Sequence, residues 1–335
     1  MGTCISRAGD KQGGLHAFTV DAIAQQYQAE CRNSALVPDP SVEKWFTLAR
    51  TDDLLISHGD FKSITANGTH LGILLNIVRS HPNVIQGFCI RVHDSTIADV
   101  LTSHIDLAPA GSLLELEVVS LPEIYMQKLD AILCKRSELY SLSLLNFPSG
   151  AASASHFDSL AHVLETSTAI RNFSISIAYA DDSEHDTSCI TRMIHCSLEL
   201  SQSIVSLSLG SCQLDKAAAQ VLQTCLAETN KLRSLSIIDN STLGRAGMLA
   251  LCNRLTVILC AGLDAVARGL SSNTTLTSLT LRRCAAKGDG VDAICAGVLN
   301  HQSLVSIDLG ENEADDEGAL AVGCYHIIIA IHLTC

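Results

Sequence analysis

Charged side chains and aromatic rings are both scarce in this 335-residue chain: Asp, Glu, Lys and Arg together make up 17% of it, and Phe, Trp and Tyr 4%. An average soluble domain carries about 25% charge, so Ser, Thr, Asn and Gly must cover much of the surface. No cluster of Lys and Arg occurs, and the formal net charge is −13. Such a chain cannot release counterions from a phosphate backbone, which excludes nucleic acid as a partner and suits a protein partner with a basic patch. No apolar run approaches the roughly 20 residues that cross a bilayer; the longest near the end is IIIAIHL at 327–333. There is no C-x-x-C pair among the 14 cysteines and no apolar leader ahead of them, so a reduced, cytoplasmic protein is expected rather than a disulfide framework.

Catalytic signatures are missing as well. The sequence has no G-x-x-x-x-G-K-[ST], no G-x-G-x-x-G after a strand, no H-E-x-x-H and no G-x-S-x-G, which leaves no catalytic residue to name, no cofactor and no small-molecule substrate. The densest group of metal-ligand types, His185, Cys189, His195 and Cys196 in HDTSCITRMIHC, fits no zinc spacing, and a loop followed by a half-buried helix is expected there instead of a metal site.

What the chain has in quantity is repetition. The stretches SLLELEVVS, ELYSLSLLN, AIRNFSISI, SIVSLSLGS, KLRSLSIID, TLTSLTLRR and SLVSIDLGE share the template L-x-x-L-x-L, with first apolar positions at Leu113, Leu139, Ile170, Ile204, Leu232, Leu276 and Leu304. VIQGFCIRV adds an earlier copy at Ile85. Successive copies stand 28, 26, 31, 34, 28, 44 and 28 residues apart from Ile85 onward, a period near 28. Each strand pattern is followed by turn residues and then by apolar residues three and four apart, as in AAAQVLQTCLAET and GVDAICAGVLNHQ. One strand and one helix per unit cannot bury an apolar face alone, so the units must stack into an α/β solenoid with a parallel sheet inside a curve and helices outside.

These units resemble leucine-rich repeats of the ribonuclease-inhibitor type, whose long form is L-x-x-L-x-L-x-x-N/C-x-L followed by a helix. The N/C place is held by Cys212, Asn240, Cys284 and Asn312, and by Leu121, Phe147 and Ala178 in earlier copies. The resemblance, which spans residues 54–331, implies a leucine-rich-repeat horseshoe whose ladder residues bond to backbone in each turn, with less regular turns in the first half. It also implies a protein-binding function. Since Ran GTPase-activating proteins share the repeat, an activator of a small GTPase is one alternative, and a soluble subunit of a cytoskeletal assembly is another.

The remaining segments frame this solenoid. Residues 1–15 are expected as a flexible anchor segment and 16–53 as a helical cap, with a turn at Pro38 and Pro40 and a second helix around Trp45. The 44-residue step predicts an irregular repeat near 249–263 that has lost its strand, and Leu304 predicts a further strand near 332, leaving 332–335 as an uncapped end. On the concave face the outward columns are Glu115, Ser141, Asn172, Ser206, Ser234, Ser278 and Ser306, then Glu117, Ser143, Ser174, Ser208, Ser236, Thr280 and Asp308. This carpet of hydroxyls offers as contacts Glu115, Glu117, Tyr140, Arg233, Arg282 and Asp308, with Arg171 nearby. Of four N-x-[ST] sites, at Asn67, Asn172, Asn240 and Asn273, the strand and turn positions of Asn172 and Asn240 are unsuited to a glycan.

The first six residues, MGTCIS, match M-G-x-x-x-[ST], the acceptor pattern for N-myristoylation at Gly2, and Cys4 stands where palmitate supplies a second chain. A single myristoyl group binds membranes only marginally, at about 10⁴ M⁻¹, and Arg7 and Lys11 are too few to help. The sequence therefore predicts a solenoid tethered by Gly2 and Cys4 to the cytosolic leaflet of a membrane.

Overall fold

The computed structural model describes residues 12–51, 68–80, 88–92, 96, 99–100, 103, 113–119, 139–148, 154–178, 188–201, 203–228, 231–242, 261–299, 301–314, 316–324 and 330–332. Gly2, Cys4, the 249–260 stretch of the irregular repeat and 333–335 lie outside these. The chain divides into two compact units, Met1–Leu121 with Gln127–Leu139, and Pro122–Met126 with Tyr140–Cys335.

In the first unit, Ile23, Ala24, Tyr27 and Cys31 repeat at helical spacing and are all buried, which gives α1 (Gln12–Asn33) one apolar stripe. The stripe packs on α2 (Pro40–Thr51) and α3 (Gly68–Ser80), burying Val42, Phe46, Leu71 and Leu74. Because helix propagation is easy once that stripe has nucleated, α1 reaches back to Gln12, so the last residues of the expected flexible segment 1–15 are helical. A Schellman cap closes α1: Leu36 N–H donates to the Cys31 carbonyl at 2.8 Å and Ala35 N–H to Arg32 at 3.1 Å. Ala35 takes the left-handed conformation, φ 56°, that usually falls to glycine. The turn that follows is held from both sides, by Asp39 N–H donating to Tyr27 Oη (3.0 Å) and by His70 Nε2 against the Val37 carbonyl (2.9 Å). Strands β1 (Phe88–Val92) and β2 (Leu113–Val119) pair in parallel in the same unit.

The second unit is an α/β solenoid. Its strands are β3 (Ser141–Pro148), β4 (Asn172–Ala178), β5 (Ser206–Gly210), β6 (Ser234–Ile238), β7 (Ser278–Arg282), β8 (Ser306–Asp308) and β9 (Ala330–His332), parallel and in chain order. Between them run α4 (Ala154–Thr166), α5 (Ser188–His195, extended by a π-turn over Cys196–Leu200), α6 (Lys216–Glu228), α7 (Ala261–Ser272), α8 (Gly288–Val298) and α9 (Asp316–Cys324), each packed on the next. Alternation along the strands puts Leu207, Leu209, Leu235, Ile237, Leu279 and Leu281 under the helices, all fully buried. Burying each such side chain contributes about 1.5–3 kcal/mol. The first leucine position of the template, at Ile204, Leu232, Leu276 and Leu304, closes the same core from the strand entrances.

The long step between Leu232 and Leu276 inserts nothing into the sheet. Ser234 pairs directly with Ser278 and Leu235 with Leu279, and α6 packs directly on α7. Residues 243–260 of this step lie outside the described residues. At the last strand, Ser306 stands opposite Ala330, a tighter step than the 28-residue period.

Close helix approach depends on glycine at α8. A Cβ built on Gly297 would lie 2.6 Å from the Ala267 carbonyl oxygen and 3.0 Å from its Cα, both backbone atoms of α7 that cannot step aside. In an ordinary helix interior Gly→Ala gains about 1 kcal/mol. Gly297→Ala is expected instead to destabilise by about 1–3 kcal/mol, the usual cost of overpacking, read as a lower urea midpoint with unchanged slope.

Candidate functional site

Strand register aligns the residues that face away from the helices into straight rows. Ser141, Asn172, Ser206, Ser234, Ser278 and Ser306 are successive partners, as are Ser174, Ser208, Ser236, Thr280 and Asp308. All are half-buried, and neighbouring strands put them about 4.8 Å apart. The result is a nearly uncharged face of short hydroxyls, bounded at either strand end by a different set of contacts.

At the strand entrances the repeats are joined by shared carbonyls. Tyr140 O accepts both Arg171 N–H (2.8 Å) and Asn172 N–H (3.2 Å), Arg171 O accepts Val205 and Ser206, Val205 O accepts Arg233 and Ser234, and Arg233 O accepts Thr277 and Ser278. Two arginines extend the pattern with their side chains: Arg171 Nη1 donates to Ser203 O (3.1 Å) and Arg233 Nη1 to Thr275 O (3.1 Å). These guanidiniums clamp the next repeat at its turn.

At the strand exits the ladder residues do the joining. Asn240 is fully buried. Its Oδ1 accepts from Cys212 N–H (2.9 Å) and Leu214 N–H (3.4 Å), and its Nδ2 donates to Leu209 O (3.0 Å) and Ile238 O (2.8 Å). All four hydrogen-bonding valences of the carboxamide are thereby used. Asn312 repeats the arrangement one pair further on, accepting from Cys284 (2.9 Å) and Ala286 (3.2 Å) and donating to Leu281 (2.6 Å) and Leu309 (2.7 Å). The intervening cysteines point back with a single hydrogen. Cys212 Sγ lies 3.3 Å from Gly210 O, and Cys284 Sγ lies 3.4 Å from both Ile237 O and Arg282 O. Burial pushes both thiols up to about 12, so they remain donors at neutral pH.

Earlier copies lack this device, and their strands run on. Strand β3 continues through a register shift to bury Phe147 edge-on against Phe157, with ring centroids 5.0 Å apart, and β4 reaches the exposed Ala178. Leu121 lies outside the described residues.

The residue just before each ladder position adopts positive φ: Ser211 49°, Asp239 57°, Arg283 50° and Glu311 56°. This left-handed column turns those side chains out beside one another. Arg283 bonds Glu311 through Nε and Asp239 through Nη1 (3.2 Å), while Arg282 bonds Glu311 and lies 3.6 Å from Asp308. Hydrogen bonds from Arg283, then Arg282, hold the Glu311 carboxyl below the usual carboxylate range, and the bonds Arg283 makes to Glu311, then Asp239, raise its own pKa. These pairs are partly exposed, and exposed pairs of this kind contribute little each.

Of the contacts expected from the sequence, the structure brings Arg282 and Asp308 together and sets Arg233 at the opposite strand end, on backbone. Tyr140 is half-buried at the entrance of β3. In the first unit, the backbones of Glu115 and Glu117 pair with Cys89 and Arg91. Asp239, Arg283 and Glu311 were not among the expected contacts; the signal for them is their common place one residue ahead of the ladder. The sequon at Asn240 is fully buried and that at Asn273 nearly so. Among the described residues no group of His, Cys, Asp and Glu could hold a metal ion, and no helix is long and apolar enough to cross a membrane.

No family model and no curated protein matches the chain. Among solved structures it is similar to a protein from Bacteroides fragilis, at 12% identity over 93% of this chain and 82% of that one, with a TM-score of 0.45. It is also similar to a chain of the yeast Rad7 and Elc1 complex, at 11% identity over 91% of this chain and 87% of that one, with a TM-score of 0.40.

Asn240→Asp tests the ladder. A carboxylate keeps the two acceptor bonds but leaves Leu209 O and Ile238 O facing a buried anion, so a loss of about 3 kcal/mol or more is expected in urea unfolding at pH 7. The thiols act at the other end of the pH scale. Their pKa is raised above the unfolded value of 9.0, so the stability they contribute is full below pH 9 and is lost as pH rises from 9 toward 12. Thermal unfolding midpoints of Cys212→Ala should fall less over that range than those of the native chain.

Proposed function

We propose that the chain is a non-catalytic scaffold that binds a protein partner through the hydroxyl face of its sheet, while acyl chains on Gly2 and Cys4 hold it at the cytoplasmic face of a membrane. The observation that carries the binding half is the pair of unbroken side-chain rows across β4–β8, held in register by bonds directed into the neighbouring repeat at both strand ends. A surface ordered in advance loses little conformational entropy on binding. With Arg282 and Arg283 already paired to the acids at the strand exits, the partner's contacts belong to the neutral hydroxyls, and its basic groups to acidic positions elsewhere on the chain. The membrane half rests on MGTCIS, in which Gly2, Cys4 and Ser6 fit a dual-acylation signal.

Intact mass and membrane fractionation of the chain from eukaryotic cells, beside Gly2→Ala and Cys4→Ser, test the tether. Myristate on the native chain, with both variants moving to the cytosol, is the expected result; an unacylated amine in all three overturns it. Cross-linking in the same cells tests the face. Ser208→Arg with Ser236→Arg should remove the adducts of the native chain without lowering its unfolding midpoint, and adducts that persist unchanged refute binding there.

A further inference from the structure

Ahead of Ile170, Ile204 and Leu276, the side chain three residues before the repeat's first leucine position caps the turn from helix into strand. Ser167 Oγ accepts from Ala169 and Ile170 N–H at 3.3 Å, and Ser201 Oγ from Ser203 N–H at 3.3 Å. Asn273 Oδ1 accepts from Thr275 (3.0 Å) and Leu276 (2.8 Å), while its Nδ2 donates to Leu226 O (2.7 Å). In the turn between α8 and β8 the same place is held by His301. A titratable ring has entered a column of groups that do not titrate.

A second column fixes the state of that ring. Ser203 Oγ donates to Ser167 O (3.0 Å), Thr275 Oγ1 to Leu232 O (2.9 Å) and Ser303 Oγ to Leu276 O (2.9 Å), each reaching back one repeat. Having given its hydrogen to Leu276, Ser303 Oγ can only accept from His301 Nδ1, 3.4 Å away. The neutral ring is therefore protonated on Nδ1, and Nε2 is a buried lone pair with no hydrogen-bond partner.

We propose that His301 is an acid-sensitive release point for the repeat that contains β8. Protonation puts a cationic N–H at the buried Nε2, where nothing accepts it, and the ring can satisfy it only by leaving the turn. That movement breaks the contact with Ser303 and frees the entrance of β8. His301 N–H donates to Val298 O at the end of α8, and a helix C-terminus attracts a cation, but this pull is weaker than the penalty for a buried charged donor without an acceptor. The surrounding elements carry Asp292 on α8, Arg268 on α7, Asp316 on α9, Asp308 on β8 and Arg282 on β7. None of them shifts the ring; burial alone lowers its pKa from the ordinary 6.5. Because the folded value is the lower one, stability is full above pH 6.5 and is lost as pH falls through 6.5 toward the folded value.

Hydrogen exchange read by mass spectrometry at pH 7.5 and 5.5, corrected for intrinsic rates, tests this on the full chain beside His301→Asn and His301→Gln. Exchange at 306–308 in the native chain should rise about threefold or more on acidification, with 234–238 unchanged. His301→Asn, which installs the residue of the preceding turn, should abolish the response, and His301→Gln should do the same. A native chain indifferent to pH, or variants that respond as it does, would overturn the proposal. Carbon-13 histidine NMR of the native chain gives a second readout: a His301 ring that titrates at or above 6.5 refutes it.

Discussion

Every unit of a parallel solenoid must take its backbone out of the sheet and turn it toward a helix, and at that turn N–H and C=O groups leave the ladder while still inside the protein. Buried groups of this kind must be bonded. At Asn240 and Asn312 one carboxamide closes two acceptors and two donors at once, and in each case the donors it serves belong to the preceding repeat. Much else in the second unit follows from that requirement. The strands from β5 to β7 stop after five residues because the chain must reach the ladder position with the correct hand, and the residue before it turns left-handed to do so. Where Phe147 takes the place of Asn or Cys, apolar packing on Phe157 closes the core, and β3 runs on through a bulge.

The charge pattern at the strand exits is a second consequence. Left-handed residues one place before the ladder project from successive turns in a line, so acidic and basic side chains there meet across repeats even though 28 or 44 residues separate them. Asp239, Arg283 and Glu311 alternate in sign along that line, and Arg282 and Asp308 join it from the sheet. Such pairs add little stability individually. Their main effect is on the surface, since they leave the centre of the sheet as the uncharged part of that face and keep its acids from acting as a free negative patch.

The period, the buried leucine columns and the ladder positions were legible in the sequence because each repeats at fixed spacing in residue types with one physical use. The alignment of the hydroxyl rows followed from the same spacing. Other features lay beyond pattern. Arg171 and Arg233 stand beside the strands, where an arginine reads as a partner contact, yet each guanidinium donates to a turn carbonyl of the next repeat; sequence spacing does not reveal which carbonyls a turn leaves without a donor. The direct pairing of β6 with β7 across a 44-residue step was legible only as an irregular spacing, because 44 residues fit neither one period nor two. The backward extension of α1 to Gln12 was hidden by Gly13 and Gly14, whose poor propensity is overcome by the stripe that nucleates the helix further on.

The two edges of the sheet solve one problem with different chemistry. At the exits the donors and acceptors are carboxamides, backbone and thiols held near 12, none of which changes charge between mildly acidic and neutral pH. At the entrances the hydroxyl column is equally indifferent to acid, and so is the capping column until it reaches His301. A solenoid is stabilised mainly by nearest-neighbour contacts, so a fault in one turn is felt by the repeats on either side and fades beyond them. The turn that His301 caps has β7 on one side and β9 on the other, but each pairs with β8 over three residues, where β5, β6 and β7 pair over five. This turn therefore has less to hold it, which makes it the place where one proton can act on the fold without dissolving the rest.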